Sequence, residues 1–143
     1  MWKNIYNQTV TILNKLKRAD SESGTVDVWY KHTVDNAVWY EDSARNSGGN
    51  GVYIGTYITV LIPFNDDYID YREWRHLDGE GRSAKFTMSS GDYIVLGDVV
   101  EEVDASNIVA IMNDYGAQKC LVRHIKKPHK RFNATVQLKV EGV

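Results

Sequence analysis

The chain has 143 residues, of which 43% are hydrophobic and 25% are charged, and its formal net charge is −2 at pH 7. These values are ordinary for a globular protein and favour one domain, so we expect residues 1–143 to form a single unit. The negative balance argues against a dedicated nucleic-acid binder, but it leaves room for a local basic patch.

The cysteine content and the N-terminus indicate where the chain is expected to fold. Cys120 is the single cysteine, so no intrachain disulfide can form, and a reducing cytosol is the expected compartment. It begins an apolar strand, which favours a small buried side chain over a nucleophile. Lys3 and Asn4 lead into a polar alternation, so we expect no signal peptide, and no apolar stretch is long enough for a membrane span.

The first third of the chain predicts β-strands. Residues 6–16 alternate between an apolar face with Val10 and Ile12 and a second face with Thr9, Thr11 and Leu13. A polar turn at 20–24 and a second strand at 25–33 complete a predicted hairpin with a five-residue loop. Asp35-Asn36 is predicted to interrupt the chain before a third strand at 37–41.

Residues 42–51 differ in composition from everything around them. They contain three glycines and no large apolar side chain, which predicts an exposed, mobile loop. Two interpretations are open: a long hairpin tip, or a functional loop held out by two stiff strands. The candidate loop residues are Asp42, Ser43, Ala44, Arg45, Asn46, Ser47, Gly48, Gly49 and Asn50.

A long strand and a short helix are predicted next. Residues 52–62 alternate with apolar residues on both faces, Gly55 is a candidate bend or bulge, and Pro63 ends the strand. Asp70 and Glu73 have the spacing of a capping box, which predicts a helix over 71–77 that turns Trp74 and Leu77 inward. The nearby carboxylates fit caps and solvated acids better than a metal site, because no EF-hand spacing accompanies them.

The second half predicts a central strand and a docked helix. A loop at 78–81 and a short strand at 84–88 precede the apolar run 93–96, which predicts a strand buried on both sides. Asp104 or Ser106 can cap a helix that carries an apolar stripe (Ile108, Val109, Ile111, Met112 and Tyr115), and Gly116 ends it.

The last two predicted strands, 119–126 and 133–140, enclose a basic tip. Five Lys/Arg residues fall within nine positions: Arg123, Lys126, Lys127, Lys130 and Arg131. Such a tip is solvated in most proteins, but it can also meet phosphate or an acidic neighbour. An acidic stretch at 98–104 lies elsewhere in the sequence, and opposite patches on one chain suit head-to-tail packing in a ring.

No catalytic or cofactor motif is evident. The four histidines lack the spacing of a zinc site, and no nucleophile, base and orienting group fall into a recognisable arrangement. We therefore expect neither an enzyme nor a bound cofactor or metal.

The order of these features resembles the small head-tail connector proteins of tailed bacteriophages, also described as head-closure (stopper) or minor capsid proteins. The matching pieces run through most of the chain, and the segment Gly91 to Gly97 followed by a short helix is the most specific. The others are Tyr6-Asn7, Val38-Trp39, Ile62-Pro63, the Tyr-x-Asp-x-x-Glu-Trp piece Tyr68 to Trp74, Phe86-Thr87, Tyr115 and the end Lys139 to Val143. The final hairpin, Arg123 to Arg131, departs from the shorter piece expected in that family.

The resemblance implies a small antiparallel β-barrel with long hairpin loops and one or two short helices. It implies a homo-oligomeric ring in the neck of a virion, assembled in the host cytoplasm, without enzymatic activity and away from any membrane. The neighbours would be the portal-adaptor assembly and tail or tail-terminator proteins, and packaged double-stranded DNA would pass through the lumen. The 42–51 loop would line or close the channel, and the basic tip would face DNA or another subunit.

Nine tyrosines and four tryptophans allow two further interpretations. Aromatic residues suit subunit interfaces, and Trp2, Trp29 and Tyr30 are our candidates for one. A small-barrel module that binds nucleic acid or oligosaccharide is the alternative, with an aromatic face formed by Trp29, Tyr30, Trp39, Tyr40, Tyr53 and Tyr57. Another neck or tail protein, such as a tail terminator, is a third possibility.

Overall fold

The computed structural model describes residues 8–20, 24–48, 51–63, 67–126 and 137–142. The strands are β1 (Gln8–Asp20), β2 (Gly24–Gly48), β3 (Gly51–Pro63), β4 (Tyr93–Leu96), β5 (Lys119–Lys126) and β6 (Gln137–Gly142). The helices are α1 (Tyr71–Trp74), α2 (Gly79–Ala84) and α3 (Ile108–Tyr115), and a 3-10 turn follows at Gly116–Gln118.

The strands form a closed antiparallel barrel in the order β1-β2-β3-β6-β5-β4. Closure comes from the short strand β4, which pairs with β1 on one side and with β5 on the other. The predicted small antiparallel β-barrel is therefore confirmed, with three short α-helices among the described residues where one or two were expected.

Strand β2 is one long strand rather than the two predicted. Val10 pairs with Val34 and Gln8 with Ala37, so β2 carries one more residue than β1 in this interval. Asn36 absorbs the bulge with φ of 62°, a left-handed conformation that asparagine tolerates better than most residues. Asp35-Asn36 therefore bends the strand without ending it, and β2 passes from pairing with β1 to pairing with β3 at this point.

The barrel interior is filled by apolar residues from β1 to β5 and from the segment that precedes β4. The cluster contains Val10, Ile12, Val34, Ala37, Ile58, Val60, Ile62, Phe86, Met88, Ile94, Cys120 and Val122. Every member is less than one-tenth exposed. Burial of this apolar surface is the main favourable term in folding.

A second apolar cluster lies on the outer face of β1 and β4, under α3. Leu13 and Val95 supply the strand side, and Val99, Val103, Ile108 and Met112 cover them. In β4 the neighbours Ile94 and Val95 therefore belong to different clusters, and both are fully buried. The prediction of a strand buried on both sides is confirmed.

Helix α3 begins and ends close to the predicted positions. The Asp104 carboxylate accepts hydrogen bonds from the backbone N–H of Ser106 (2.9 Å) and of Asn107 (3.1 Å), which organises the turn before Ile108. The Ser106 hydroxyl donates to the same carboxylate. This bond makes the largest contribution to lowering the pKa of Asp104, and the backbone bonds add to it. Gly116 ends the helix with φ of 57°. Val109, which the apolar pattern placed inward, is 69% exposed.

The segment 67–88 departs most from the prediction. Helix α1 covers only Tyr71–Trp74, and Asp70 makes no side-chain capping bond, so the capping box is wrong. The loop predicted at 78–81 is the start of α2, because the Asp78 carboxylate accepts from the Gly81 N–H at 2.7 Å and caps the turn. The strand predicted at 84–88 is wrong: only Phe86 forms a bridge, with Tyr68.

A buried hydrogen-bond network around Asp92 connects the start of β4 to β1. Asp92 is 1% exposed, and its carboxylate accepts from the backbone N–H groups of Lys15 and Ser89 (both 2.9 Å). Asn14 donates to the same carboxylate at 3.0 Å and to the Thr87 carbonyl at 2.7 Å. Three donors converge on one carboxyl group. The network therefore joins β1, the segment 87–89 and the start of β4.

Desolvation raises the pKa of Asp92 to about 6 from 3.8, against the opposing effect of the hydrogen bonds. The folded protein therefore binds this proton more tightly than the unfolded chain. The resulting stability is fully present below pH 3.8 and is lost as the pH rises through about 6.

We expect the contribution of Asp92 to the free energy of unfolding to fall by about 2 kcal/mol between pH 4 and pH 7. Urea unfolding at a series of pH values measures it, with Asp92→Asn as the reference. The variant is expected to be less stable overall, since its amide NH₂ would face a donor, but to lack this pH-dependent fall. Parallel pH profiles for the two proteins would contradict the assignment.

Cys120 is fully buried in the barrel, and burial raises the pKa of its thiol to about 11. The expected buried, structural cysteine is confirmed. We expect no reaction with a thiol-specific reagent in the native protein at pH 8 and complete reaction in denaturant, because the thiolate is the reactive form. Rapid labelling of the folded protein would show that the barrel opens at β5.

Candidate functional site

The most prominent feature outside the barrel is the far end of the β2–β3 hairpin. Beyond the rungs shared with the barrel, Asp42 pairs with Tyr57 and the ladder continues in regular register to Gly48 and Gly51. Strand β6 pairs with β3 only over Ile58–Pro63, and β1 pairs with β2 only up to Ala37. Among the described strands, residues 42–48 and 51–57 thus form a two-stranded ribbon, about 20 Å long at the usual rise per residue.

The loop predicted at 42–51 is therefore wrong in its secondary structure over 42–48. Asp, Ser, Asn and Gly are poor strand formers, but residues 51–57 are rich in β-favouring types, and pairing with them supplies the ladder. Gly55, predicted to be a bend or bulge, pairs with Ala44 without a register shift. Gly49 and Asn50 lie outside the described residues. A two-residue Gly-Asn connection between strands is a known hairpin signal, and it would have revealed the ribbon.

The predicted basic tip is described only in part. Arg123 is exposed and sits at a register shift in β5, between Val122, opposite Gly142, and His124, opposite Glu141. Lys126 is the last residue of β5. Lys127, Lys130 and Arg131 lie outside the described residues, so the shape of the tip stays a prediction.

The candidate interface aromatics are partly covered by the chain itself. The Trp29 ring lies 5.8 Å from that of Tyr93, and Lys15 lies over its face. The Tyr30 ring packs edge-on against the Trp74 ring, with 5.5 Å between the ring centroids. Trp2 lies outside the described residues. An interface role for these three stays a prediction.

The aromatic residues that the nucleic-acid or oligosaccharide hypothesis places on one face contact different parts of the fold. Trp29 and Tyr30 are neighbours in one strand and contact different elements, α3's cluster and α1 respectively. Trp39 packs against the barrel core, and Tyr40 is 41% exposed. The side chains of Tyr53 and Tyr57 are outside the described set. The four described aromatics therefore do not form one stacking platform.

Helices α1 and α2 are held to β2 by a cluster around Trp74. This ring is fully buried, and its Nε1–H donates to the Arg82 carbonyl at 3.2 Å. The Arg82 guanidinium lies over the Tyr30 ring at 5.4 Å, donates to the Tyr30 hydroxyl at 2.9 Å, and donates to the Arg75 carbonyl at 3.3 Å. The sequence showed no signal for this arrangement, which joins residues from β2, α1 and α2.

The part of the chain that the structure describes contains neither a metal-binding cluster nor a membrane-spanning helix. No group of three or more His, Cys, Asp or Glu side chains there is placed to hold a metal ion. No helix there has the length and apolar character needed to cross a bilayer.

The described strands place the protein in the class of closed antiparallel β-barrels, with a β2–β3 hairpin that extends beyond its pairing with β1 and β6. Within that class, the chain belongs to the family of unknown function DUF6751, whose model matches residues 5–143. Neither the curated proteins nor the solved structures contain a significant match to the chain.

Proposed function

We propose that the protein is a ring-forming head-tail connector of a tailed bacteriophage, a head-closure component that joins the portal-adaptor assembly to the tail and helps retain packaged DNA. It acts as a structural protein of the virion neck and not as an enzyme. The observation that supports this proposal is the β2–β3 ribbon, which contains most of the residues to which the resemblance assigns the channel loop.

The ribbon has properties that suit a channel element. Two paired strands hold their direction better than an unpaired loop, so the pair Gly48–Gly51 is held at a defined distance from the barrel. Its first strand, residues 42–48, carries Asp42, Arg45 and Asn46 and lacks large apolar residues, which suits contact with water and DNA.

Charge distribution supports assembly from identical copies. Asp98, Glu101, Glu102 and Asp104 are exposed around the turn before α3. The basic residues 123–131 come from a different part of the chain. Opposite charges in separate segments of one chain suit head-to-tail contacts between copies, which form a ring when the rotation between subunits closes.

The copy number of the chain in purified virions tests the proposal. Quantitative mass spectrometry of DNA-filled particles should find the chain at a fixed, low number of copies per particle, in a constant ratio to the portal protein. Absence of the chain from particles, or a copy number equal to that of the major capsid protein, would contradict a neck position.

A further inference from the structure

A groove of about 570 Å³ lies between β1 and the α1–α2 segment. Its lining residues come from three separate stretches of the chain: Leu16, Lys17, Arg75, His76, Asp78, Gly79 and Arg82. It opens broadly to solvent, in contrast to the filled barrel interior.

The lining is strongly cationic for a chain with a net charge of −2. Lys17, Arg75 and Arg82 supply its cationic side chains. Asp78 is the one carboxylate of the lining, and its Oδ1 is occupied by the Gly81 N–H at 2.7 Å. Asp70 and Glu73 line a neighbouring hollow, which shares His76 with this groove.

No ion pair among the described residues joins a carboxylate to these three cations, although Asp27 lies opposite Lys17 in the β1–β2 ladder. The ion pairs found within the described residues involve Lys31, His32 and Lys85, and none reaches Lys17, Arg75 or Arg82. Arg82 is held in place by the Tyr30 hydroxyl and the Arg75 carbonyl, both neutral groups. Its Nε is buried and has no hydrogen-bond partner in the part of the chain described.

Such an arrangement costs free energy unless an anion completes it. Like charges that converge on one groove repel each other, and an unpaired buried donor loses its hydration. A phosphate group in the groove would reduce the repulsion between these charges, because guanidinium and ammonium groups are the usual partners of phosphate oxygens in proteins.

We propose that this groove binds phosphate groups, and that their source is the backbone of double-stranded DNA. The open shape suits a phosphate presented on a polymer surface and not an enclosed small molecule. The choice of DNA rests on the proposed neck function. Each subunit contributes two or three cations, so binding to one subunit is weak, and a ring of subunits multiplies it by presenting many grooves at once.

Fluorescence anisotropy with a labelled duplex of about 20 base pairs, at ~50 mM salt and above, tests this proposal. Arg75→Gln and Lys17→Gln should each lower the affinity about three- to tenfold and reduce the slope of log K against log salt by about one. Arg72→Gln is the matched control, because Arg72 is an exposed arginine three residues away that does not line the groove. It should change the affinity less than about twofold. Thermal melts should show that the three variants fold equally well.

Equal losses from Arg72→Gln and Arg75→Gln would show a general charge effect and overturn the groove as the site. Wild-type affinity in both groove variants would overturn it as well. A second arm uses inorganic phosphate, followed by the amide NMR signals of Arg75 and Gly79 with chloride of equal ionic strength as reference. Tight phosphate binding that duplex DNA does not displace would overturn DNA as the source.

This experiment is independent of the neck proposal. It measures binding to the isolated chain, whatever its place in a virion. If the chain is found in the neck but Arg75→Gln binds duplex DNA like the wild type, the proposed function stands and the groove is rejected as the DNA site. If the groove variants lose DNA binding but the chain is absent from virions, the groove stands and the proposed function is rejected.

Discussion

Shortening the β2–β3 ribbon is expected to leave heads that package DNA but do not retain it. Asp42 and Tyr57 are partners in the ladder, so residues 43–56 can be replaced by an Asn-Gly turn that joins these two positions directly. The rest of the barrel keeps its register, and because a two-stranded ribbon adds little stability, the free energy of unfolding should change by less than about 1 kcal/mol. Packaged DNA, however, should become accessible to nuclease, since the proposed channel element is gone.

The control for this truncation keeps the length of the ribbon and changes only its turn. Replacing Gly49-Asn50 by Asn-Gly retains a two-residue connection, so particles carrying it should protect their DNA as the unaltered ones do. Normal DNA retention in particles with the shortened ribbon would refute the gating role. Failure of the shortened chain to enter particles would instead assign the ribbon to assembly, which also contradicts gating.

Trp74→Ala is expected to cause the largest loss of stability of any single truncation considered. The side chain is fully buried, contacts the rings of Tyr30 and Tyr71, and donates to the Arg82 carbonyl. Its removal leaves a cavity under α1 and α2, and the cost should be about 3–5 kcal/mol. Urea unfolding monitored by circular dichroism measures it.

Two further variants separate the contribution of the buried Trp74 ring from that of its hydrogen bond and from that of an exposed ring. Trp74→Phe keeps a ring in the site but loses the Nε1–H bond to Arg82, so it should cost about 1–2 kcal/mol. Tyr40→Ala removes an aromatic ring that is 41% exposed, and its effect should stay within about 0.5 kcal/mol. If Trp74→Ala were no more destabilising than Tyr40→Ala, helices α1 and α2 would not be fastened through this ring.

The strands could be predicted where local pattern and burial agree. The run Tyr93–Leu96 is apolar and bounded by Gly-Asp on both sides, and β3 shows a long alternation ended by Pro63. In both cases each residue's own preference points to the conformation found, so composition and periodicity were sufficient.

The prediction failed where a distant partner decides the conformation. Residues 42–48 have loop-like composition and become a strand only because 51–57 pair with them. Asp35-Asn36 looks like a break and is a bulge, since asparagine can take a positive φ inside a strand. At 78–81 two glycines suggested a loop, but the Asp78 cap starts α2 there.

The candidate sites likewise differ in how far the sequence predicts them. The ribbon's position in the sequence was recognised, although its paired structure was not. The cationic groove was not foreseen, because Lys17, Arg75 and Arg82 lie far apart in sequence or in different elements and carry no motif. Only the docking of α1 and α2 beside β1 brings them together.

Electron microscopy of the purified neck tests the central claim most directly. With the chain carrying a label at its C-terminus, class averages should show the label repeated around a closed ring between the portal and the tail, with the β2–β3 ribbons directed toward the lumen. Labels outside the neck, or a neck whose rings contain no copy of this chain, would contradict the account.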